Sequence, residues 1–78
     1  MRNYTLDMIK CGKTAVVKSL SSKGAIRRRL LDLGITPKTE VMVRKVAPLG
    51  DPIEIYLRGY ELAIRLEDAK TIVVDCVC

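Results

Sequence analysis

Ala25-Ile-Arg-Arg-Arg-Leu-Leu-Asp-Leu-Gly-Ile-Thr-Pro-Lys-Thr-Glu-Val-Met-Val-Arg-Lys-Val-Ala-Pro-Leu-Gly-Asp-Pro52 changes period once, and that change decides the fold. Ile26, Leu30 and Leu33 are spaced as one face of a helix, so a buried stripe is expected on a helix over about 23–33. Ser22 is its expected N-cap. Gly34 follows the last periodic residue, where a left-handed residue commonly closes a helix. If Gly34 is that residue, Leu30 and Ile35 should meet in a Schellman ending. Pro37 keeps the helix from resuming. From about Thr39 to Ala47 the pattern turns to alternation, with Val41 and Val43 on one face. It slips at Arg44-Lys45-Val46, where a bulge would bend the strand. Pro48-Leu49-Gly50-Asp51-Pro52 ends it, because proline cannot donate to a ladder.

The flanks continue in period two. Lys13–Leu20 reads as a strand with apolar residues on both faces, so its register is open. Met1–Gly12 reads as a lead-in whose Leu6, Met8 and Ile9 form a short turn over the core. Ile53, Ile55 and Leu57 share a face; Gly59-Tyr60 is the expected tight turn; Leu62, Ile64 and Leu66 restart the alternation. Residues 67–70 suffice for one helical turn. Thr71 to about Val77 is the last strand, with Ile72, Val74, Cys76 and Cys78 in phase. Five evenly spaced strands and one early helix predict a mainly β fold: a small five-stranded barrel with one α-helix between strands 1 and 2. One helix cannot cover both faces of a parallel sheet, which excludes a doubly wound fold.

Seventy-eight residues is the size of one domain, read here as 1–78. The chain has no Trp, Phe or His, so its core must be aliphatic. A formal charge of +5 favours acidic partners: a negative protein face, a phosphate-bearing ligand or a lipid headgroup surface. Three cysteines cannot all pair within the chain, and the N-terminus has no apolar core of signal-peptide length. The expectation is a reducing, cytoplasmic setting with no membrane insertion.

No catalytic constellation stands out. The usual general base, His, is missing, and no phosphate-cradling GxxxxGK[ST] loop occurs. The expectation is therefore no enzyme and no required cofactor. Cys76 and Cys78 would point the same way on a strand, and Cys11 would join them if the first and last strands meet. Three thiolates would suit zinc better than Fe²⁺. A lone CxC is a weak signal, and the plainer reading is a small core residue beside a chain end. Nucleic acid is not expected, because single-strand binding needs stacking aromatics and the chain has three tyrosines in all.

Three stretches carry a family resemblance: Arg27-Arg-Arg-Leu-Leu-Asp-Leu-Gly-Ile-Thr-Pro37, Val46-Ala-Pro-Leu-Gly-Asp-Pro-Ile-Glu-Ile55 and Arg58-Gly-Tyr-Glu-Leu-Ala-Ile-Arg65. Together they resemble the FeoA family, the small cytoplasmic partners of the bacterial ferrous iron transporter FeoB. The resemblance covers nearly the whole chain. It implies an SH3-like barrel and an accessory role in Fe²⁺ uptake by contact with the cytoplasmic GTPase part of FeoB. FeoA-like domains also occur in metal-dependent repressors, so the alternative is an SH3-like module that binds or senses a transition metal, Fe²⁺ or adventitious Zn²⁺. Lys38 departs from the family, which usually has glycine there. Either the turn is type I or Lys38 takes positive φ.

Partner contact is expected first at Arg27, Arg28 and Arg29, and then at Pro48, Leu49 and Tyr56. The plainer reading of the arginines is a solvated helix face. Tyr60 is a further docking candidate, its plainer reading being strand packing. Asp51 and Glu54 are weaker oxygen-ligand candidates, read more simply as an Asx-type turn and a surface charge. Gly34, Pro37, Gly50, Pro52 and Gly59 are read as structural.

Overall fold

The computed structural model describes residues 4–76. The chain runs β1 (Tyr4–Thr5), a 3₁₀ turn (Leu6–Met8), β2 (Thr14–Leu20), α1 (Gly24–Asp32), β3 (Glu40–Val46), β4 (Ile53–Leu57), β5 (Tyr60–Ile64), α2 (Leu66–Ala69) and β6 (Ile72–Cys76). All ladders are antiparallel, in the order β1-β6-β2-β3-β4-β5.

The sheet has six strands, not five. Tyr4–Thr5 pairs with Val73–Val74 on the second edge of β6. A two-residue strand has no period to read, which is why the lead-in gave no sign of it. First and last long strands do meet, with Ala15 opposite Cys76.

Two bulges set the phase of the core. In β3 the register shifts between Val43 and Lys45, at the expected place. In β2 it shifts between Val17 and Ser19, so Lys18 is the extra residue. That insertion resolves the two-faced pattern: Ala15, Val17 and Leu20 are all buried, although Leu20 is out of phase with the other two. Opposite them, Val41, Val43, Ile53, Ile55, Leu57, Ile72 and Val74 fill an aliphatic core.

α1 closes this core with one fully buried residue, Leu30. The expected stripe is narrower than its spacing implied: Ile26 is 43% exposed and Leu33 half-buried. A nine-residue helix over a small sheet touches it along a single turn. Its N-cap is Lys23, without a side-chain cap bond, rather than Ser22. Ser22 is instead buried, its hydroxyl without a partner among the described residues.

The helix stop is a Schellman motif. Gly34 sits at φ +95°, its N–H donates to the Leu31 carbonyl, and the Ile35 N–H donates to the Leu30 carbonyl. Leu30 and Ile35 are both fully buried. The following loop resolves the question at Lys38, which takes φ +74°; its N–H reaches the Val17 carbonyl.

The β4–β5 hairpin turns on Arg58-Gly59, one residue earlier than expected, with Leu57 opposite Tyr60. Both turn residues have positive φ, as a type I′ turn requires.

Candidate functional site

The three arginines of α1 are about 100° apart around the helix, and that fan separates their roles. Arg27 donates from Nη1 to the Leu20 carbonyl (3.1 Å), tying α1 to the end of β2. Arg29 meets Asp68 of α2, Nη2 to Oδ2 at 2.5 Å. The Asp68 side chain is 7% exposed and that of Arg29 56%. All three are exposed, and Arg28 alone of them has no partner among the described residues. The cluster expected to be one contact surface is therefore divided: two arginines bind their own fold.

That division is testable by denaturant unfolding. Arg29→Ala leaves a buried carboxylate without its partner and is expected to cost about 1–3 kcal/mol. Arg28→Ala is expected to stay within about 0.5 kcal/mol of the parent. Equal stability of the two variants would mean that the Arg29–Asp68 pair does not hold α1.

The Pro/Gly turn is the second candidate, and it projects. The Ala47 N–H donates to the Pro52 carbonyl (3.1 Å) and the Gly50 N–H to the Ala47 carbonyl (2.7 Å). The Asp51–Pro52 bond is cis. Asp51 makes no Asx turn among the described contacts; its Oδ1 accepts the Leu66 N–H (3.0 Å), so it caps α2 and ties the turn to the body. On this anchored tip Leu49 is 93% exposed and Val46 40%. Pro48 and Pro52 are exposed beside them. A shallow depression of about 440 Å³ runs along Val46, Ala47, Pro48 and Pro52, with Lys45 and Glu54 at its border. A lone exposed leucine is ordinary; here Leu49 stands beside exposed Val46, Pro48 and Pro52.

Tyr56 is not part of that tip. It lies three residues along β4 from Ile53, about 10 Å away. Its ring is half-buried beneath the Arg44 guanidinium, 5.4 Å from the centroid, and Arg44 also approaches Glu61 (3.6 Å). Tyr60 is structural: its hydroxyl donates to the Leu33 carbonyl at the end of α1. Glu54 lies among Arg44, Lys45 and Glu61 in a patch of balanced charge.

The cysteines do not form a described site. Cys11 is exposed, Cys76 has a described backbone only, and Cys78 lies outside the described residues. Among the described residues no three His, Cys, Asp or Glu side chains converge on a point.

Two residues that matter escaped the sequence. Arg58 donates from Nη2 to the hydroxyls of both Thr36 and Thr39 (3.0 Å each), bracing the loop after α1. Arg-Gly is not among the favoured two-residue turn pairs, so the turn was read one residue late. Asp68, one of two adjacent acidic residues in a four-residue helix, gave no signal of burial.

The fold defines a small, mainly β module of six antiparallel strands and one longer helix. The FeoA domain model matches residues 4–76, and the chain belongs to the FeoA family. The FeoA-like protein from Clostridium acetobutylicum is 32% identical, with a TM-score of 0.92 over 100% of this chain and 91% of that one. The Stenotrophomonas maltophilia FeoA complexed with zinc, described as a prokaryotic SH3 domain protein, is 33% identical, with a TM-score of 0.82 over 92% of this chain and 89% of that one. A Porphyromonas gingivalis Fe(2+) transport protein A/Fe(2+) transporter FeoB fusion protein is 31% identical over 72 residues. That match takes in 92% of this chain and 8% of the fusion protein's length. The family is associated with Fe²⁺ transport, and the fused relative links the domain to a transporter. Among the described residues no helix is long and apolar enough to cross a membrane.

Proposed function

We propose that this chain is a non-catalytic accessory of ferrous iron uptake that works at the cytoplasmic face, by contact between its β3–β4 tip and the cytoplasmic part of a FeoB-type transporter. One observation carries the choice of surface: Leu49 stands 93% exposed on a turn that Asp51 braces against α2. A rigid apolar tip loses little entropy on docking and gains the burial of a whole leucine, about 1.5–3 kcal/mol. The fused relative supports the partner, since joining two domains in one chain raises their effective concentration for each other. Arg28, free on α1, can steer an acidic partner without deciding its affinity. Fe²⁺ in this reading is the transporter's cargo, and the chain needs no bound metal to dock.

Radioiron uptake in cells lacking their own copy of this protein tests the reading. Leu49→Glu is expected to lower uptake to near the level of the empty strain at unchanged protein abundance. Leu49→Met, which keeps the apolar tip, is expected to restore most of it. Full uptake with Leu49→Glu would move the docking surface away from the tip.

A further inference from the structure

β5 ends the sheet, and its outer edge is open. It pairs with β4 alone among the described strands. The two-residue turn Arg58-Gly59 makes Leu57 and Tyr60 a hydrogen-bonded pair, so the pairs Ile55/Leu62 and Ile53/Ile64 are bonded as well. The alternate residues, Glu61 and Ala63, then aim their N–H and C=O groups away from β4. Both residues are exposed, and neither has a backbone partner among the described residues.

Beside this edge lies a groove of about 280 Å³ between β5 and α1. Leu30 and Leu33 line one wall, and Leu62 and Ile64 the other. Leu33 and Leu62 are only half-buried. Arg29 and Arg65 also border it. Each has a carboxylate nearby, Asp68 at 2.5 Å and Glu67 at 3.8 Å, yet a guanidinium carries five donors. The Arg65 side chain is 74% exposed.

We propose that the β5 edge accepts an extended segment of a partner protein as a seventh strand, with alternate apolar side chains in the groove and a carboxylate at Arg65. Open backbone donors and acceptors at a sheet edge are satisfied best by another strand. The half-buried leucines select apolar residues at every second position. Arg65, 74% exposed at the border, selects a carboxylate. A second copy of this chain is the poorer occupant: it carries a formal charge of +5 and would bring its own Arg29 and Arg65 to the same edge. The proposal uses other residues than the transporter reading, although the Ile64 end of β5 lies beside the base of the β3–β4 tip, where Ile64 faces Ile53 and the Leu66 N–H bonds Asp51.

The probe is a capped hexapeptide, Thr-Val-Thr-Val-Asp-Asp, titrated into the full chain while amide NMR shifts and hydrogen exchange are followed. The Glu61 and Ala63 amides are expected to shift and to exchange at least about tenfold more slowly. N-methylating one alternate set of peptide nitrogens should abolish binding while methylating the other set leaves it, because only one set faces β5. Lysine in place of aspartate should weaken binding at least about threefold. Ala63→Pro removes an edge N–H that β4 does not use and should abolish binding at unchanged melting. If that variant does not fold, Arg65→Glu and the two methylated peptides decide. The proposal is overturned if millimolar peptide leaves these amides unmoved, if the shifts fall on the β3–β4 tip instead, or if both methylated peptides bind alike. Concentration-dependent shifts at Glu61 and Ala63 without peptide would also overturn it, by assigning the edge to a second copy.

Discussion

Leu30→Ala is expected to destabilise the chain by about 2–5 kcal/mol, the range for a fully enclosed leucine. Leu30 is the only fully buried side chain of α1, and it packs in the core cluster with Ile35 across the helix stop. Its loss removes the seat of the helix as well as a side chain's worth of apolar burial. In a domain of this size the melting temperature should fall by roughly 4–8 °C for each kcal/mol. Ile26→Ala, one turn earlier and 43% exposed, is expected to cost less than about 1 kcal/mol. Thermal unfolding of the two variants side by side checks this. Comparable losses would mean that α1 lies on the sheet along its whole stripe.

Gly34→Val is the second large effect, expected at about 2–4 kcal/mol. Two terms combine. At φ +95° a β-branched residue is strained by about 1–2 kcal/mol. The added Cβ would also lie 3.1 Å from the Tyr60 hydroxyl and 3.7 Å from Arg58 Cδ. Those side chains bond the Leu33 carbonyl and the Thr36 and Thr39 hydroxyls, and displacing them forfeits about 0.5–1.5 kcal/mol per bond. Gly12 separates the terms. It has φ +83° but open space around its missing Cβ, so Gly12→Val should show the backbone cost alone. Equal losses at the two positions would mean that the hairpin clamp on the end of α1 contributes nothing.

The same residues show what was legible in the sequence. Gly34 and Pro37 announce the end of α1 because stopping a helix is a local act: a backbone angle and a missing donor suffice. The β3 bulge is visible because Arg44 and Lys45 interrupt an alternation of valines. The β2 bulge leaves no such trace, since Val16 and Leu20 keep both faces apolar around Lys18. β1 is too short to carry a period, and its pairing depends on β6, nearly seventy residues on.

The surfaces were harder to read because exposure is a tertiary property. Arg27, Arg28 and Arg29 are one run in the sequence. The Leu20 carbonyl and Asp68 decide which of them bind the fold, and Asp68 lies far along the chain from Arg29. Leu49 was legible as a turn residue, while its exposure and the bond from Asp51 to α2 show only in the fold. Tyr56 and Tyr60 look equivalent as aromatics in strands. One lies under Arg44, and the other holds the end of a helix. The open edge of β5 follows from strand order, which alternation does not encode.

The most direct test of docking through the tip is calorimetric titration of this chain against the isolated cytoplasmic domain of a FeoB-type transporter, with the parent, Leu49→Glu and Arg28→Glu compared at two salt concentrations. The account predicts saturable binding by the parent and a loss of at least about tenfold, or 1.4 kcal/mol, with Leu49→Glu at both salts. Arg28→Glu should change affinity by less than about threefold, and mainly at low salt. Undiminished binding by Leu49→Glu, with the larger loss at Arg28→Glu, would contradict it and return the contact to the helix.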